Sequence, residues 1–61
     1  MATAKQIAAA AAAIANARGM RNGVPLISNV LEALPVMLVV ELMEDAKAAL
    51  EAAEGTDADP S

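Results

Sequence analysis

Carboxylates are the one titratable group this chain carries in number, and four of them, Glu41, Glu44, Asp45 and Glu51, are close enough in sequence to act together. On a helix Glu41 neighbours both Glu44 and Asp45 one turn on, a spacing that lets carboxylates share a hard cation. Such a site also needs carbonyl and loop oxygens, which an unbroken helix does not offer. The simpler reading is a solvated acidic face on which Glu44 and Glu51 flank Lys47. The chain has no His and no Cys, so the usual neutral-pH base, the thiolate nucleophile and the common zinc ligands are missing. No nucleophile with a base, phosphate-cradling loop or metal-ligand motif occurs either. Arg21, between Gly19 and Gly23, could in principle clamp a carboxylate or phosphate, but a lone Arg in a glycine loop is weak evidence, and a solvated loop cation or a contact to the acidic helix is the simpler reading. The expectation is a non-enzyme with no cofactor, no metal and no small-molecule substrate.

Charge narrows the partners. Residues 1–25 hold Lys5, Arg18 and Arg21 and no acid, a charge of +3, whereas residues 26–61 hold eight acids and Lys47, a charge of −7. Four scattered cations on an acidic chain cannot supply the phosphate-neutralising stripe that nucleic-acid binding requires, so no nucleic-acid partner is expected. The opposed halves instead favour antiparallel or head-to-tail packing of two copies. The start of the chain lacks the leucine-rich core of a secretory signal, and a cytoplasmic location is expected. The apolar stretch 24–40 is long enough to consider as a membrane span, but Ser28, Asn29, Glu32 and two prolines interrupt it, so no span is expected.

The elements that position these groups read as helices. Thr3-Ala4-Lys5-Gln6 fits a capping box, and six consecutive alanines, Ala8 to Ala13, follow with the best intrinsic helix propensity. Arg18 suits the negative end of the macrodipole and Gly19 the left-handed position after it, which predicts a helix over 4–18. Its bulky residues, Ile7 and Ile14, lie seven apart on one face, so this helix reads as a flat lid on something larger. Two glycines, Asn22-Gly23 and Pro25 predict a loop over 19–28. Asn29 to Glu32 offers a second capping box, with Ser28 as an alternative cap, for a short helix over 29–34 that Pro35 stops. A final helix is expected over 35–54, ended by Gly55, and the acidic residues 55–61 are expected to be a disordered tail. Together these predict one all-α domain over 1–54.

The composition leaves that domain short of core. There is no Phe, Tyr or Trp, and 17 of the 61 residues are Ala. A chain this small buries only about 60% of its unfolded surface, and its stability is marginal without association. Yet Pro35 to Val40 is wholly apolar and runs on into Leu42 and Met43. In the final helix Leu38, Val39, Leu42, Met43, Ala46, Ala49, Leu50 and Ala53 share one broad face, while Val36, Met37 and Val40 fall on the side that is charged further along. The first two turns are thus apolar nearly all round. The expected interface, with a second copy or with a larger protein, comprises Val36, Met37, Leu38, Val39, Val40, Leu42, Met43, Ala46, Ala49 and Leu50, joined by Ile7 and Ile14. Fold class and function follow as an all-α helical homodimer acting through protein–protein contact, a regulator or inhibitor that docks an apolar helix surface on its target. The alternative is a purely structural self-assembling module. A membrane-surface peptide fits less well, because anionic lipids repel an acidic polar face.

Overall fold

A computed structural model describes residues 2–55 of the chain. Three helices follow one another: α1 (Ala4–Arg21), α2 (Val30–Ala33) and α3 (Val36–Gly55). No strand occurs among the described residues, so the chain is all-α. The acidic tail expected beyond α3 lies outside the described residues, except for Gly55, which is the last residue of the helix.

The capping box at the head of α1 forms as the sequence predicts. The Thr3 hydroxyl accepts from the Gln6 N–H at 3.1 Å, and the Gln6 side-chain oxygen accepts from the Thr3 N–H at 2.9 Å. Two of the four N–H groups that a helix start leaves unpaired are thereby handled locally.

The far end of α1 differs from the prediction. The helix does not stop at Arg18 but runs through Gly19 to Arg21, with Asn22 as its C-cap. Gly23, at φ +82°, takes the left-handed position instead. Its N–H donates to the Met20 carbonyl at 3.1 Å and the Val24 N–H donates to the Gly19 carbonyl at 2.8 Å, the paired bonds of a Schellman closure. The Asn22 side-chain amide donates to the Arg18 carbonyl at 2.9 Å, covering another end group. Stopping at Gly23 rather than Gly19 keeps one more turn of helix and recruits Asn22, which outweighs the roughly 1 kcal/mol that a glycine costs inside a helix. A Cβ at Gly19 would lie 3.4 Å from the Val24 Cβ, the near edge of ordinary contact.

α2 is a single turn. Asn29 occupies its N-cap position, but no side-chain capping bond forms, so the second capping box predicted by the sequence is absent. The cause is local: at φ −115° and ψ 46° Asn29 is outside the extended geometry that aims a cap side chain at the first turn. Leu34 is extended at φ −100° and ψ 155°, as a residue before proline must be. Pro35 precedes α3 rather than opening it, and its carbonyl accepts from the Leu38 and Val39 N–H groups at 3.0 and 3.1 Å.

α1 and α3 form an antiparallel hairpin. Gln6 shares a shallow pocket with Leu50 and Ala53 at one end, while Arg18 and Gly19 share a groove with Leu38 and Leu42 towards the other. The molecule measures 36 × 22 × 16 Å, with its long dimension set by the helices. Its central core cluster is Ala11, Leu42 and Ala46, with Ile7, Ile14, Leu31, Leu34 and Met43 packed partly against it. Small side chains on α1 let the two axes approach closely. They also leave Leu42 as the largest fully buried side chain, a contribution of about 1.5 to 3 kcal/mol from its own burial. The N-terminal helix therefore packs on its own chain, and α3 is covered on one side only.

The two glycines of the α1 terminus should respond with opposite signs. Gly23→Ala forces an alanine into the left-handed region and should destabilise by about 1 to 2 kcal/mol, roughly 4 to 8 °C in Tm per kcal/mol for a chain of this size. Gly19→Ala gains helix propensity at ordinary contact distance from Val24 and should be neutral or stabilising by up to about 1 kcal/mol. Urea and thermal melts followed at 222 nm distinguish this from an end at Gly19, for which Gly19→Ala would be the damaging change.

Candidate interaction surface

The segment between α1 and α2 has no regular structure, and one side chain holds it in place. The Asn16 amide nitrogen donates to the Ile27 carbonyl at 3.1 Å, and its oxygen accepts from the Ile27 N–H at 3.0 Å. Asn16 thus satisfies both backbone groups of Ile27, as a neighbouring strand would. Its position is set by α1, and the loop is drawn across the last two turns of that helix. The sequence did carry a signal: between Ile7 and Ala17 Asn16 is the sole polar residue, and Asn is a poor helix-interior residue unless its amide has work elsewhere. Sequence reasoning passed over it.

Drawing the loop across α1 creates a groove of about 240 Å³. Its walls are Gly19, Val24 and Ile27 on one side and Leu34, Leu38 and Leu42 on the other, and Arg18 also contributes. The lining is apolar, and the Asn16 amide within it is already committed to Ile27. Val30, which also lines the groove, is buried and pins α2 beneath it.

The apolar surface is strongly localised. Among the described residues the exposed large apolar side chains are Met20, Val24, Leu26, Ile27, Val36, Met37, Leu38 and Val40, all between positions 20 and 40 and hence at the loop end of the hairpin. Val36 and Met37 are 76% and 72% exposed and Val40 is 45% exposed. Scattered single apolar residues are ordinary on protein surfaces, but a concentration at one end is not. Of the other residues expected at an interface, Ala49 is exposed, while Ile7, Ile14, Val39, Met43 and Leu50 are half-buried. Leu42 and Ala46 are 2% and 0% exposed and are consumed by the chain's own core.

Charge of both signs is exposed along the hairpin. Arg18, Arg21 and Glu32 are exposed at the loop end, and Glu44, Asp45 and Glu51 are exposed with Lys47 along the second half of α3. Among the described residues no three acidic side chains come together as a metal site. No helix among them is long and apolar enough to cross a membrane. No protein family, curated protein or solved structure matches the chain.

Removing the Asn16 clamp should free the loop. Asn16→Ala leaves the Ile27 backbone unpaired by protein and should cost about 1 to 2 kcal/mol, with faster amide exchange at Ile27 than in mid-α1. Unchanged exchange at Ile27 in that variant would show that the loop is held by its apolar contacts instead.

Proposed function

We propose that this chain is a non-enzymatic helical module that acts by protein–protein contact, docking its loop end on a larger protein and thereby regulating it. The observation that carries the reading is the confinement of every large exposed apolar side chain among the described residues to positions 20–40. Burying such a surface is worth roughly 25 cal/mol per Å², and a chain whose own core is so thin gains proportionately from it. An apolar groove is an arrangement that receives side chains, as in helix-in-groove recognition. Met37 adds to this, because an unbranched thioether adapts to partner shapes.

Photo-crosslinking from position 37 of the otherwise intact chain, in cells that produce it, tests the reading. A discrete adduct with one larger protein is expected, reduced at least about tenfold by Val40→Glu, as for loss of a central apolar contact. Val40 is partly exposed, so helicity at 222 nm should be retained by that variant. A crosslinking pattern that Val40→Glu leaves unchanged would refute the assignment.

A further inference from the structure

We infer that Asn22 is a modification site, where the side-chain amide is converted to a carboxylate through attack by the Gly23 backbone nitrogen whenever the end of α1 opens. The conversion runs one way and leaves the loop end of the hairpin without its helix cap.

Chemistry selects the residue. The chain has three asparagines, Asn16, Asn22 and Asn29, followed by Ala17, Gly23 and Val30. The reaction requires the backbone nitrogen of the next residue to reach the asparagine Cγ, and a side chain on that next residue hinders the approach. Only Gly23 has none, and glycine also has the widest choice of backbone angles. Asn29 is followed by a residue that is β-branched and buried. Asn16 lies within α1 and has both amide atoms bonded to Ile27.

The steps need only water and base. The Gly23 nitrogen gives its proton to solvent and bonds to the Asn22 Cγ; the Cγ–Nδ2 bond breaks, ammonia departs and a cyclic imide remains. Water then opens the ring. Addition at Cγ yields an aspartate, and addition at the main-chain carbonyl yields an isoaspartyl linkage in which the backbone runs through the former side chain. In sum an amide and water become an acid and ammonia, with nothing oxidised or reduced.

In the folded chain two bonds engage the reacting groups elsewhere. The Asn22 amide nitrogen donates to the Arg18 carbonyl at 2.9 Å, which turns the side chain back towards α1. The Gly23 N–H, whose nitrogen is the nucleophile, donates to the Met20 carbonyl at 3.1 Å. Burial does not protect the site: Asn22 and Gly23 are both exposed, and nothing lies within 4 Å of the place a Gly23 Cβ would take. Water therefore reaches it, and conformation alone restrains the reaction. Helix ends are where such restraint is lost first, by fraying.

The product does not fit the closure it replaces. A carboxylate has no N–H for the Arg18 carbonyl, and it sets a negative charge at the negative end of the macrodipole. Arg18 and Arg21, in the same last turn, are the cations within reach of that charge, at the surface, where such pairs contribute little. The isoaspartyl form also lengthens the main chain, which takes the Gly23 and Val24 N–H groups out of step with the Met20 and Gly19 carbonyls. Gly19 and Val24 line the groove, so loosening the closure alters the groove directly.

The full chain is incubated in mildly alkaline buffer, with and without enough urea to unfold it, and the amide-to-acid mass gain at residue 22 is followed by mass spectrometry. Folding should slow the gain at least about tenfold, and in folded samples it should rise with urea in parallel with amide exchange at Gly23, since both need the same bond open. Asn22→Gln, at an exposed position, should abolish the gain, because the longer side chain closes its ring far more slowly. Asn22→Asp, which stands for the product, should speed amide exchange at Gly23 about five- to thirtyfold, as for an end group that loses its hydrogen bond. Equal rates in folded and unfolded chains overturn the restraint by the two bonds. A gain that persists in Asn22→Gln overturns the site, and unchanged exchange in Asn22→Asp overturns its effect on the helix end.

Discussion

The hairpin depends on the contact between the alanine face of α1 and the middle of α3, where Ala11, Leu42 and Ala46 close on one another. Alanine permits close approach but brings little apolar area of its own, so the burial of Leu42 and its half-buried neighbours carries much of the packing. Everything else in the molecule adapts to that thin seam. α3 is covered along one stripe, and the side that looks away from α1 takes whatever residues the sequence places there. At its start those residues are Val36, Met37 and Val40; further along they are Glu44, Lys47 and Glu51.

The connection between the helices is tied by a set of polar bonds. A Schellman closure at Gly23 turns the chain, Asn22 covers the Arg18 carbonyl, and Asn16 grips both backbone groups of Ile27. These bonds specify the path of the backbone while asking little of the side chains on it. Val24, Leu26 and Ile27 are therefore free to remain at the surface, where they extend the apolar region begun by α3. A loop fixed in this way also keeps its groove open, because its position does not depend on filling it.

Thin core and open groove are two sides of one composition. A chain with few bulky residues that spends several of them outside has little stability to spare, and any partner that covers those residues stabilises the fold by mass action. Folding and association are then thermodynamically linked.

Much of the local structure was legible in the residues. The Thr3 and Gln6 capping box, the uninterrupted alanines and the break at Pro35 are decided within a few positions of one another, and short-range physics places them. The excess of apolar residues near the start of α3 was legible too, because composition alone limits what can cover them. Choices between similar local options were not. Gly19 and Gly23 are equally able to end a helix, and the decision fell to bonds that Val24 and Asn22 make only when the chain turns at the second. Asn29 had the residue types for a capping box but not the backbone angles.

By itself, then, the sequence determined that this protein is helical, where its first helix begins, and that it carries few bulky residues with which to cover the apolar start of its last helix. Only the tertiary structure decided which of those residues are spent inside, Leu42 and Ala46, and which remain outside, Val36, Met37 and Val40. The reason is geometric. Periodicity gives a helix its faces, but the face that α1 covers, and the groove left where Asn16 draws the loop across it, depend on contacts between residues far apart in the chain.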